Sequence, residues 1–132
     1  VATALAIHYC MNGYDKAYIK EKVLDEYYPD WSDKTYSEIK PGYYFDSSCQ
    51  GSVPAALLSF LESKDFVDCL KLAISLGGDS DTLAAISAPI AYAHYRVIPE
   101  ALLDNARKKL PQWMLELSES FDDYIIREIV SC

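Results

Sequence analysis

Gly77-Gly78-Asp79-Ser80-Asp81-Thr82-Leu83-Ala84-Ala85-Ile86 joins two stretches of helical periodicity and sets how the chain folds back on itself. Before it, Phe66, Cys69, Leu70, Ala73 and Ile74 recur three and four residues apart, the spacing of one buried helix face, with Asp65 and Asp68 placed to start that helix. After it, residues 81–95 are mostly small and apolar all round, which predicts a central buried helix kinked at Pro89. Two adjacent glycines permit an abrupt reversal between these helices. Residues two apart on a helix point about 200° apart. Asp79 and Asp81 therefore converge only if Asp79 lies in the turn while Asp81 and Thr82 take the first helical positions, where free backbone N–H groups keep carboxylates ionised. Such a pair suits a hard cation. The same six residues also describe an ordinary helix stop followed by an N-cap. A calcium EF-hand is excluded, because a loop starting at Asp79 puts Ala84 where the turn needs Gly and Ile90 where a bidentate Glu is needed.

Outward from this corner the chain stays helical, with no sustained two-residue alternation. Residues 2–12 form a helix that Gly13 can end, and Asp15 caps a second one running to about Tyr28, where Pro29 stops it. Leu24, Tyr27 and Tyr28 are expected to face inward. Ser32-Asp33 can start a short helix that Pro41-Gly42 ends, and residues 43–45 then run extended. Ser52 is expected to cap the next helix, with Pro54 in its first turn and Val53, Leu57, Leu58 and Leu61 on its buried face. Pro99 begins a helix that Pro111 ends, and residues 112–130 make a last amphipathic one. The expected fold class is all-α, as one domain over residues 1–132.

Composition narrows the partners. With 20 acidic against 12 basic residues the net charge is −8, which repels nucleic acid and anionic lipid. The longest weakly polar stretch, residues 83–95, falls short of the roughly 20 apolar residues a bilayer requires. Cys10, Cys49, Cys69 and Cys132 show no metal-type spacing and read as reduced thiols of a cytoplasmic protein. The N-terminus opens into an apolar run without Met or a basic flank, which reads as a chain continuing from something longer.

Residues 77–86 resemble the C-terminal signature of the ADP-ribosylglycohydrolase family. Ser48-Cys49-Gln50-Gly51-Ser52-Val53-Pro54 through Phe60-Leu61-Glu62-Ser63 is similar to the stretch that precedes it in bacterial members, and Ile98-Pro99-Glu100 also fits. The resemblance is detailed over residues 45–102 and matches the latter half of a full family protein. It implies an orthogonal all-α bundle with two divalent ions, Mg2+ or Mn2+, in a cleft that binds ADP-ribose. It further implies that Asp79, Asp81 and Thr82 are metal ligands, and that cleavage of a glycosidic bond releases ADP-ribose from a protein or a small adduct. The family's early Ser/Thr-Asp-Asp-Thr segment is absent, since the one Asp-Asp pair, Asp122-Asp123, sits between Phe121 and Tyr124. No catalytic residue is therefore assigned in this chain, and the chain alone is expected to be inactive without an N-terminal half. Ala88, Tyr92 and Arg96 stand where relatives often carry Gly or another small residue.

Gln50, Ser52, Gly78 and Ser80 are the candidate substrate contacts, the first two because an amide and a hydroxyl at a helix start can meet phosphate or ribose. Each also has a plainer reading, Ser52 as a cap and Gln50 as surface. His94 is either a proton carrier or a core histidine. Tyr43, Tyr44, Tyr92 and Tyr95 are candidate stacking partners for adenine, or simply rim residues. Two functions follow: half of a metal-dependent hydrolase site, completed by the N-terminal half of the same fold, or a non-catalytic helical domain that binds a nucleotide or self-associates.

Overall fold

A computed structural model describes residues 1–125. The chain is all-α, with no strand among the described residues. It groups into two compact units, Val1–Val97 and Ile98–Cys132.

In the first unit, α1 (Ala2–Met11) ends at Asn12, and Gly13 follows with φ +80. Asp15 then caps α2 (Lys16–Ile19), accepting the Tyr18 N–H at 2.8 Å, and the helix continues as a π-helical turn over Lys20–Asp25. Val23 and Leu24 are buried there, while Tyr27, expected inside, is exposed. A 3-10 turn spans Pro29–Trp31, and the next α-helix starts later than Ser32-Asp33. Thr35 caps α3 (Tyr36–Ile39) in a reciprocal box, in which Glu38 accepts the Thr35 N–H at 2.8 Å. Ser and Asp lose to Thr35 because only Thr35 has an acidic residue three positions on.

Three longer helices build the core: α4 (Cys49–Glu62), α5 (Phe66–Ser75) and α6 (Ser80–Tyr95). Ser48, not Ser52, caps α4, accepting the Gly51 N–H at 3.2 Å. Ser52 lies one turn inside and is buried, its hydroxyl donating to the Asp46 carbonyl at 2.8 Å. The most buried element is α4, where Gly51, Ser52 and Pro54 through Phe60 are all buried, while α6 is central in that α1, α4 and α5 all pack against it. Small side chains at Gly51, Ala55, Ala56 and Ser59 let neighbouring helices approach closely, so α4 is covered on most sides. By contrast α6 buries Leu83, Ser87, Ile90, Ala91 and Ala93 and leaves Ala85, Pro89 and Tyr92 outside. Ile74 of α5 is likewise exposed, and the buried face there is Phe66, Cys69 and Ala73.

Leu76 and Leu83, flanking the double-glycine corner, pack with Tyr36, Ala55, Ala56 and Ala73, and Trp31 and Tyr43 close over them. Full burial of a leucine contributes about 2 kcal/mol, so this cluster pins both sides of the corner. At its far end α6 stops on Arg96, a non-glycine residue in the left-handed region at φ 61. Gly would adopt that conformation without strain. Here the Arg96 guanidinium donates to the Met11 carbonyl at 2.9 Å, tying the end of α6 to the end of α1.

The second unit contains α7 (Glu100–Arg107) and α8 (Gln112–Ile125), with Pro99 and Pro111 just ahead of them. Residues 126–130, which the sequence assigns to the last helix, and Cys132 lie outside the described residues.

Candidate metal centre

The corner between α5 and α6 is made by two left-handed glycines, Gly77 at φ 83 and Gly78 at φ 63. Gly77 has open space around it. A Cβ on Gly78 would stand 3.0 Å from the Tyr44 carbonyl and 3.1 Å from the Tyr43 ring, so the extended 43–45 segment lies directly over this glycine. Asp79 follows as the residue before α6, and Ser80, Asp81 and Thr82 form its first turn.

Asp79 is part-buried and its side chain makes no cap bond to the helix. Instead its carboxyl lies within hydrogen-bonding reach of the exposed Asp81 carboxylate. That contact is the main cause holding Asp81 below the usual carboxylate range, with the backbone N–H groups of Thr82 and of Asp81 itself adding to it. The two carboxylates thus stand close together, and the part-buried Thr82 follows Asp81 in the same turn. Among the described residues no three His, Cys, Asp or Glu side chains gather into a cluster, so the corner offers two carboxylates and a hydroxyl. Ser80 is part-buried, and Gly78 contributes backbone.

Tyr43, a stacking candidate from sequence, stands against Gly78 beside this pair, and Asp46, not singled out from sequence, lies near Tyr43. The Tyr43 hydroxyl donates to the Gly51 carbonyl at 3.4 Å, and its acidity is suppressed first by burial, then by the charges of Asp46 and Asp79. Asp46 accepts the Ser48 N–H at 2.8 Å and is held below the usual carboxylate range by Ser48, through its side chain and its backbone. A Cβ on Gly51 would overlap the Asp46 carboxylate, so the α4 glycine makes room for it. The available signal was Asp46-Ser47-Ser48 ahead of a helix, an Asx turn feeding an N-cap. Trp31, Tyr43, Tyr44, Asp46 and Gly51 line a cavity of about 620 Å3.

The remaining candidates scatter. Gln50 borders a different cavity of about 410 Å3, with Tyr27, Tyr28 and Trp31. Ser52 is committed to Asp46. His94 sits edge-on to Phe60 and Tyr95 with ring centroids 5.4 and 4.9 Å away, and burial, then the Lys16 charge, lowers its basicity. Tyr95 is tied to Ser63, donating to its carbonyl at 2.8 Å. His94 and Tyr95 lie more than ten residues along α6 from Asp81, about 20 Å from the corner. Tyr92 is exposed on α6.

A sequence profile of the family described as ADP-ribosylglycohydrolase matches residues 1–129. A protein of Archaeoglobus fulgidus, described only as uncharacterized, is 39% identical over 57 residues. That alignment covers 43% of this chain and 19% of the archaeal protein. No solved structure matches. Among the described residues no helix is long and apolar enough to cross a membrane.

Proposed function

This chain belongs to the ADP-ribosylglycohydrolase family, and from that premise we propose that Asp79, Asp81 and Thr82 form one side of a divalent-metal site in a hydrolase that releases ADP-ribose from a glycosidic bond. The meeting of the Asp79 and Asp81 carboxylates at the mouth of α6 carries this reading. Carboxylates that close repel one another unless a shared proton or a cation stands between them. The donors are all hard oxygen, which suits Mg2+ or Mn2+. When bound, such ions supply positive charge that holds ribose hydroxyls and makes a water more acidic.

The chain's own residues supply the setting. The backbone N–H groups at the start of α6 favour the ionised Asp81 carboxylate, and Gly78 keeps its side of the corner free of a side chain. Tyr43 stands beside the pair and, with Asp46, borders the larger cavity. A sphere of about six ligands is not filled by three oxygens, and two ions need still more. The other ligands come from outside this chain, from an N-terminal half of the same fold.

Calorimetric titration with MnCl2, with and without ADP-ribose, tests this. Outer-sphere partners of metal sites are worth 10- to 100-fold in affinity, so loss of a direct ligand in Asp79→Asn or Asp81→Asn should weaken binding by about 100-fold or more. Manganese binding unaffected by both changes would leave only the non-catalytic helical domain standing.

A further inference from the structure

The second unit contains a helix with two unlike sides. On α8, Trp113, Met114, Leu117, Phe121 and Tyr124 fall within one third of the helix circumference, and they are between 39% and 63% exposed. Glu116, Glu119 and Asp122 occupy the other side, where Glu116 accepts from the Gln112 amide at 3.1 Å. The apolar side has no partner within its own unit, because α7 does not pack along α8. A helix of 14 residues is marginal in water on its own and draws its stability from the packing of an amphipathic face.

The pattern is self-complementary. Trp113, Leu117 and Phe121 are spaced four apart, so an antiparallel copy centred on Leu117 sets Trp113 against Phe121, Leu117 against itself, and Tyr124 against the exposed Leu110. Charge follows the same reversal. Arg107, Lys108 and Lys109, which form no ion pair among the described residues, stand just ahead of α8, and Asp122 lies near its end. Antiparallel pairing brings the bases of each copy to the acidic end of the other, whereas parallel pairing sets acid beside acid. An anionic lipid surface does not suit this helix, since interfacial helices carry Lys and Arg on the polar side. At about 200 Å2 per large side chain, the exposed face amounts to about 550 Å2 per copy and about 1,100 Å2 for two, enough for a specific interface.

We propose that α8 pairs antiparallel with α8 of a second copy of this chain, across a two-fold axis at Leu117. The seam is apolar and each of its ends is closed by opposite charge, the self-matching that a two-fold interface requires. None of it draws on the Asp79–Thr82 turn, so it stands apart from the metal reading.

Sedimentation equilibrium of the chain over a micromolar concentration series is the test, and a reversible monomer–dimer equilibrium is expected. Leu117→Glu brings two uncompensated carboxylates together in the seam and should weaken association roughly 100-fold or more. Leu117 is exposed in the single chain, so the far-UV circular dichroism of that variant should still show the helices of the core. Lys108→Glu/Lys109→Glu should weaken association about tenfold, and adding Asp122→Lys should recover most of that loss. Glu119→Gln, on the side of α8 opposite the seam, should associate like the unaltered chain. A chain that stays monomeric, a dimer indifferent to Leu117→Glu, or one weakened as much by Glu119→Gln overturns the inference; a dimer indifferent to the charge reversals overturns the antiparallel pairing.

Discussion

Two consecutive helices, α5 and α6, both start from an aspartate with a second aspartate in the first turn, yet they spend the first one differently. At α5, Asp65 accepts the Asp68 N–H at 2.8 Å, and Asp68 in turn accepts the Lys64 N–H at 2.9 Å. At α6, Asp79 makes no cap bond and meets Asp81 instead. The first arrangement satisfies orphan backbone donors, which is what a structural helix start does. The second leaves oxygen atoms gathered at the surface and leaves α6 to be anchored by Leu83, wholly buried one turn in. A helix held from within can present its first turn to a ligand.

Four measurements sharpen or break that contrast. The largest effect belongs to the internal anchor: Leu83→Ala should cost about 3 kcal/mol in urea denaturation, the usual range for deleting a buried leucine. A loss under about 1 kcal/mol would mean that something other than core packing holds the start of α6. Next come the glycines. Gly78→Ala meets both left-handed strain and the Tyr44 carbonyl, and should cost about 2 kcal/mol, against about 1 kcal/mol for Gly77→Ala, where only the strain applies. Equal losses would show that the 43–45 segment does not rest on Gly78.

The caps separate more finely. Asp65→Ala should lose about 1 kcal/mol, while Asp79→Ala, with no cap bond to forfeit, should stay within about 0.5 kcal/mol. An equal loss at Asp79 would make it an ordinary cap. The smallest effect is at α3, where Thr35, through its side chain and then its backbone, holds Glu38 below its ordinary value of 4.5. A lowered acid contributes stability above 4.5 and loses it as pH falls through the lowered value. The stability difference between the unaltered chain and Glu38→Gln should therefore shrink below pH 4.5 and be constant above it, as urea midpoints across that window would show.

Much of this was legible along the chain. The three- and four-residue spacing marked the helices, the glycine pair marked the reversal, and the need for Asp79 to stand before the helix with Asp81 inside it followed from 3.6-residue geometry. Ser52 was misplaced because a hydroxyl ahead of Pro54 looks like a cap, while Ser48, four residues earlier, does that work. The deeper burial of α4 than of α6 was hidden as well: both are rich in small residues, and periodicity does not say which of two such helices is covered on more sides. Tyr43 was read only as a stacking candidate and Asp46 went unnoticed, because both lie in irregular chain, where spacing carries little information.

The sequence by itself determined an all-helical chain of the ADP-ribosylglycohydrolase family, with a glycine corner that turns one helix into the next. Those features are local, set by backbone freedom at Gly77 and Gly78 and by the periodic burial of side chains. Only the tertiary structure decided that Asp79 forgoes capping for Asp81, that Tyr43 stands beside them with Asp46 near it, and that Gln50 and Ser52 part ways. These outcomes depend on which segments pack over one another, and the 43–45 segment rests on Gly78 because a hydrogen atom is all that stands in its way.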